Sequence, residues 1–198
     1  MPGINRAPSQ AAAAAAPTAA AARVQLSAVR TSSRECVFIS HQKADTLLCK
    51  SIAEYILNAG LDVYFDEYDK DLRLHRENGN AQGVTDCILK GITNSNYMLC
   101  VVSPNTLMST WVPFEVGYGY EKTQLGILML KGVTKAHLPH YAHAARFIVD
   151  AVPALNAFLR GRPAVVNESK ILSYSGRQHI TALSADTRHP LANVMNLQ

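Results

Sequence analysis

From Glu35 onward, short apolar runs alternate with segments whose apolar residues recur every four positions, the pattern of strands interleaved with helices. Cys36-Val37-Phe38-Ile39 has strand length and ends at Ser40-His41, which predicts a buried first strand. Asp45 stands where it can cap a helix carrying Leu48, Ile52 and Ile56, and Gly60 follows where a left-handed residue would close it. Leu61, Val63 and Phe65 alternate with Asp62, Tyr64 and Asp66, predicting a second strand, half exposed and near a sheet edge. A polar loop, Glu67 to Asn80, comes next. Val84, Ile88 and Ile92 mark a second helix, Asn94-Ser95-Asn96 breaks it, and Tyr97 to Val102 reads as a third strand. Pro113 suits the first turn of a third helix running to Glu121 or Lys122. A fourth strand (Leu125 to Leu130), a short fifth (Phe147 to Val149) and a last helix, opened by Asp150 and Pro153 and closed by Gly161, complete the series.

This alternation predicts an α/β fold on a five-stranded parallel sheet. For the strand order 2-1-3-4-5, ligands bind beyond the carboxyl ends of strands one and three, where strand order reverses. Those ends are Ser40-His41 and Ser103-Pro104, and the third helix starts from the same rim. Its first residues, Trp111 to Glu115, place an indole and a carboxylate four positions apart, hence on one helical face. A flat aromatic beside a lone carboxylate suits a planar cationic ring leaving a sugar.

Composition narrows the picture. A chain of 198 residues, 48% hydrophobic, supports one domain with a substantial core. The net charge of +4 is uneven: Arg6, Arg23, Arg30 and Arg34 precede the first acidic residue, and the rest of the chain carries fifteen basic against fifteen acidic residues. With no basic stripe interleaved with aromatics, a nucleic-acid partner is not expected. Residues 1–34, with Ala11 to Ala16 and Ala19 to Ala22 broken by Pro17 and Thr18, cannot bury a core and are expected to be a disordered linker or extended start, with an organellar transit peptide as the alternative. Residues 35–161 form the expected domain, and 162–198 an extension whose role the pattern does not reveal. The alanine-rich tract is a poor membrane anchor and no long apolar stretch occurs, so no membrane association is expected. The cysteines, Cys36, Cys49, Cys87 and Cys100, form no CxxC pair and fall in apolar segments, which favours a reducing compartment and the cytoplasm.

Four segments together carry a family resemblance: VFISH (37–41), GLDVYFD (60–66), VVSPN (101–105) and WVPFE (111–115). Over about residues 36–160 the chain resembles the Toll/interleukin-1 receptor (TIR) domain family, most closely its short bacterial antiphage-defence (Thoeris-like) members. The resemblance implies a flavodoxin-like three-layer fold and, because Glu115 follows Trp111 as in NAD-cleaving members, scission of the nicotinamide–ribose bond with NAD+ as substrate and no cofactor. Glu115 is then the catalytic candidate. Trp111 would stack on the pyridinium or anchor the core; Ser40, His41, Gln42 and Lys43 would meet the diphosphate and ribose. Phe65 and Ser103 join them as expected substrate contacts, and Ser109 would orient Glu115 or cap its helix. Many enzymatic relatives have arginine in the first loop, where this chain offers only Lys43.

The resemblance also implies self-association through residues 67–80, where Asp69 and Asp71 are expected to be surface charges, and a downstream effector that senses the nucleotide product. His137, His140 and His143 recur every three residues, but no Cys or carboxylate completes a ligand pattern, and no metal is expected. A noncatalytic TIR interaction module and a nucleoside deoxyribosyltransferase-like enzyme remain the alternative readings.

Overall fold

The computed structural model describes residues 3–7, 34–161 and 189–198. Five parallel strands, β1 (Cys36–Ser40), β2 (Asp62–Tyr64), β3 (Tyr97–Val102), β4 (Gln124–Met129) and β5 (Phe147–Val149), form one sheet in the order β2-β1-β3-β4-β5. Between and after them run α1 (Thr46–Asn58), α2 (Lys70–Glu77), α3 (Ala81–Thr93), α4 (Trp111–Lys122) and α5 (Val152–Arg160). The order reverses between β1 and β3, which pair from Val37↔Tyr97 to Ser40↔Cys100. Both strands are buried throughout.

Alternate strand residues serve two cores. Val37, Ile39, Leu99, Val101 and Leu128 face α1 and α5; Phe38, Met98, Cys100, Val102 and Ile127 face α2, α3 and α4. Covering both faces explains the continuous apolar runs. α1 buries Cys49, Ile52, Ala53, Tyr55 and Ile56. Leu48, expected on that stripe, is 37% exposed, because the buried stripe runs through Cys49 and Ala53 instead. Fully burying a residue such as Ile52 contributes about 1.5–3 kcal/mol. Gly60 takes φ +97° after α1, a conformation that a Cβ would oppose.

Three expectations need correction. β2 is buried at every position, although alternation predicted a half-exposed strand. Its polar residues have buried partners instead: Asp62 accepts from Arg6 Nε at 2.8 Å and from the Ile4 amide at 3.0 Å, and the Tyr64 hydroxyl donates to Asp69. Residues 3–7, expected to lie outside the fold, run parallel to β2, with the Val63 amide donating to Ile4 O and the Arg6 amide to Val63 O. Gly3 comes so close that an added Cβ would stand 1.6 Å from Leu61 O. The alanine-rich stretch lies outside the described residues.

Residues 67–80, read as a polar loop, contain α2. Asp69 caps it by accepting from the Leu72 amide at 3.0 Å, and Leu72 is its single buried side chain. Asp69 is itself buried, so it is no surface charge. Asp71 is exposed. At the other end of the chain, Leu191, Val194 and Met195 join the core facing α1 and α5, while residues 162–188 lie outside the described set. No helix among the described residues is long and apolar enough to cross a membrane, and all four cysteines are free.

Candidate active site

Three strand ends and the start of α4 meet at the carboxyl rim of the sheet. β1 delivers Ser40 and His41, β2 delivers Phe65 and Asp66, β3 delivers Ser103, and α4 brings Glu115 over the point where strand order reverses. Ser109 sets the entry of α4 by accepting from the Val112 amide at 3.1 Å. It caps the helix and does not bond to Glu115.

Glu115 is 7% exposed, and Ser40 Oγ donates to its Oε2 at 2.5 Å. Burial pushes its carboxyl from the ordinary 4.5 up to about 8; the Ser40 hydrogen bond opposes that rise, the Asp66 charge adds to it, and the Arg76 charge opposes it. Without a ligand the group is therefore mostly protonated at neutral pH. Beneath it the Cys100 thiol is pushed upward, chiefly by burial and then by the Glu115 charge. It is a packing residue, not a poised nucleophile.

The His41 ring stacks on Phe65 with centroids 4.9 Å apart. Its Nε2 lies 3.3 Å from Thr46 Oγ1, and its Nδ1 3.8 Å from Asp66 Oδ1. Asp66 Oδ2 meets Arg76 Nη2 at 3.3 Å. Gln42 turns to local work, its Oε1 accepting from the Ala44 amide; the Lys43 backbone carbonyl accepts from the Thr46 hydroxyl, and Lys43 is exposed. Ser103 Oγ donates to Asp45, which also accepts from Asn105 Nδ2 at 2.7 Å. Asp45, expected as a helix cap, makes no capping bond and instead ties the first loop to the end of β3.

Trp111 is 41% exposed and meets Phe114 edge-on at 5.8 Å, so it is not a core anchor. With Leu107 and Met108 it leaves an apolar surface at the same end of α4. Thus Ser40, His41, Phe65 and Glu115 converge, Gln42, Ser103 and Ser109 bond within the framework, and Lys43 stands exposed in the first loop. Sequence reasoning missed Arg76: a cation whose charge acts on Glu115, and which pairs with Asp66, comes from α2. Its only signal was Asp69 three positions before Leu72, a weak capping pattern in an otherwise polar stretch. His137 bonds to Thr134, and the three histidines of that segment form no ligand cluster among the described residues.

A doubly wound sheet in the order 2-1-3-4-5, with a buried carboxyl at its switch point, defines a flavodoxin-like α/β protein, a class whose ligands commonly bind at such a rim. The sequence model of the TIR domain matches residues 37–154, and the chain belongs to the TIR domain family. No curated protein matches it.

Proposed function

We propose that this TIR protein cleaves the bond between nicotinamide and ribose in NAD+. The observation that carries the reading is Glu115: a buried carboxyl, hydrogen-bonded by Ser40, on the rim where doubly wound sheets commonly bind ligands. A desolvated carboxyl pushed up to about 8 is poised to lose its proton when a cation arrives beside it. The pyridinium of NAD+ is such a cation.

In the reaction, the C1′–N bond breaks and its electron pair passes to the ring nitrogen, so nicotinamide leaves neutral without needing a proton. The ribosyl cation left behind is stabilised by the Glu115 carboxylate in a water-poor site, where its charge acts more strongly than in bulk solvent. Attack by water at C1′ with loss of a proton gives ADP-ribose; attack by a hydroxyl or ring nitrogen held nearby gives a cyclic or conjugated product. Ser40 holds the carboxylate in place, and the stacked His41–Phe65 pair walls the site. The resemblance to antiphage-defence members supports a product that signals to a downstream effector.

Purified protein incubated with NAD+, and separately with nucleosides, should release nicotinamide from NAD+ and leave the nucleosides intact, read by mass spectrometry. Glu115→Gln should abolish that release while keeping the fold. Base exchange on nucleosides would support the deoxyribosyltransferase-like alternative. The exposed Leu107, Met108, Trp111 and Phe114 favour a second reading, an interaction module; absence of turnover at every protein concentration, with partner binding at this surface, would establish it.

A further inference from the structure

The loop ends of β1 and β2 bring together one imidazole and two carboxylates, His41, Asp66 and Glu67, whose candidate ligand atoms all lie within 4.8 Å of one another. A neutral His41 ring can donate from only one of its two nitrogens, and ligation through Nδ1 needs the proton on Nε2. Thr46 Oγ1 donates its only proton to Lys43 O at 2.7 Å, so toward His41 Nε2 at 3.3 Å it acts as acceptor, a contact that the Nε2–H tautomer makes. In that tautomer Nδ1 presents a lone pair, and its weak 3.4 Å contact with Ile39 O, which needs Nδ1 as donor, is given up. Its neighbours are oxygen acceptors, Ile39 O at 3.4 Å and Asp66 Oδ1 at 3.8 Å. The His41 side chain is only 3% exposed, so water does not readily serve that lone pair.

Asp66 presents the matching feature. Its Oδ2 is taken by Arg76, while its Oδ1 is buried and has no hydrogen-bond partner. A buried acceptor without a donor ordinarily costs about 1–3 kcal/mol, and here it faces a second acceptor. The separation is informative: 3.8 Å exceeds hydrogen-bond length, yet two ligands each about 2.1 Å from a common ion stand roughly 3–4.2 Å apart. Glu67, next in sequence and half-buried, supplies a third oxygen after a side-chain movement of about 1 Å toward that spacing.

We propose that His41 Nδ1, Asp66 Oδ1 and a Glu67 carboxylate oxygen bind one divalent transition-metal ion. One imidazole and two carboxylates suit zinc or manganese rather than magnesium, which takes oxygen ligands and keeps most of its water. Thr46 orients the ring by holding Nε2–H, and Arg76 orients Asp66 through its other oxygen, as outer partners of metal ligands do. Two carboxylates against the Arg76 cation leave one negative charge, so the bound ion would turn this part of the rim net positive. That charge would suit an anionic ligand group at a place where the first loop offers only Lys43.

Isothermal titration of the full chain with Zn2+, without NAD+, tests this independently of any catalytic reading. The expected result is one ion per chain, a Tm raised by roughly 5–10 °C at a hundredfold excess over Kd, and no such rise with Mg2+. Glu67→Gln and Asp66→Asn, which preserve shape, should each weaken binding at least tenfold, whereas His140→Ala should leave it unchanged. No zinc binding, an equal response to Mg2+, binding that survives both carboxylate substitutions, or binding lost in His140→Ala would each overturn the proposal.

Discussion

Replacing Glu115 with glutamine should stabilise the protein, and by an amount that grows with pH. In the folded chain burial holds the Glu115 proton up to about pH 8, whereas in the unfolded chain it leaves near the ordinary 4.5. Between those values the unfolded state binds fewer protons, so rising pH favours unfolding. The contribution is fully present below pH 4.5 and lost as pH rises through about 8. The interval corresponds to a loss on the order of 5 kcal/mol, at 1.36 kcal/mol for each tenfold change in proton concentration. Glutamine, neutral at every pH and nearly the same size, escapes this loss. At about 2–4 °C per kcal/mol for a chain of this size, the Tm difference between Glu115→Gln and wild type should widen by roughly 10–20 °C from pH 5 to pH 9. Thermal melts of both proteins at five pH values and fixed ionic strength would measure it, and titrations elsewhere in the chain cancel in the difference. Ser40→Ala, which removes the hydrogen bond opposing the rise, should move the midpoint of the wild-type decline to higher pH. Parallel Tm profiles for wild type and Glu115→Gln would refute the assignment of a buried, proton-holding Glu115.

The same proton should govern turnover: a cationic substrate binds the ionised carboxylate, so kcat/KM for nicotinamide release should climb with pH and level off above about 8, as steady-state rates from pH 6 to 9.5 would show. Trp111→Ala should change stability by no more than about 0.5 kcal/mol because the ring is largely exposed, so a fall in turnover with unchanged Tm would mark a substrate contact. Arg6→Ala takes the guanidinium from the fully buried Asp62 and should cost about 3–5 kcal/mol, read by urea unfolding; a change below 1 kcal/mol would remove residues 3–7 from the stable fold. Asp71→Lys on exposed α2 should blunt any rise of specific activity with protein concentration and spare the fold, whereas Asp69→Lys should lower Tm sharply by destroying a buried cap; equal effects of the two on Tm would contradict this placement.

Sequence periodicity reported the elements that bury a full stripe or run. Tyr97–Val102 and Phe147–Val149 fell where the apolar runs placed them, and β4 shifted by one residue because Gln124 pairs with Tyr97 though its side chain is exposed. α2 escaped because a helix anchored by one leucine has no period to detect. β2 misled for a related reason: alternation of polar and apolar residues tells water from core only when polar residues lack buried partners, and Asp62 and Tyr64 have them in Arg6 and Asp69. Arg6 lies 56 positions from Asp62, beyond any local pattern. At the rim, the place of the α4 start, with Trp111 and Glu115, was legible from the expected strand order. The part played by Arg76 depended on the tertiary pairing of α2 with Asp66, of which the Asp69 cap was the one faint local mark.

A sheet with an open end can recruit a foreign strand through backbone hydrogen bonds alone, with little regard for sequence. Here residues 3–7 occupy the outer side of β2 and donate and accept its backbone bonds at Val63. A copy that paired with the β2 backbone would first have to displace residues 3–7; contacts that leave them in place can be made by side chains, which recognise shape and charge. An assembly built in this way can be strengthened, weakened or redirected by single substitutions, and it dissociates without unpicking a backbone ladder. For a domain that belongs to a self-associating family, that is the difference between reversible clustering and aggregation.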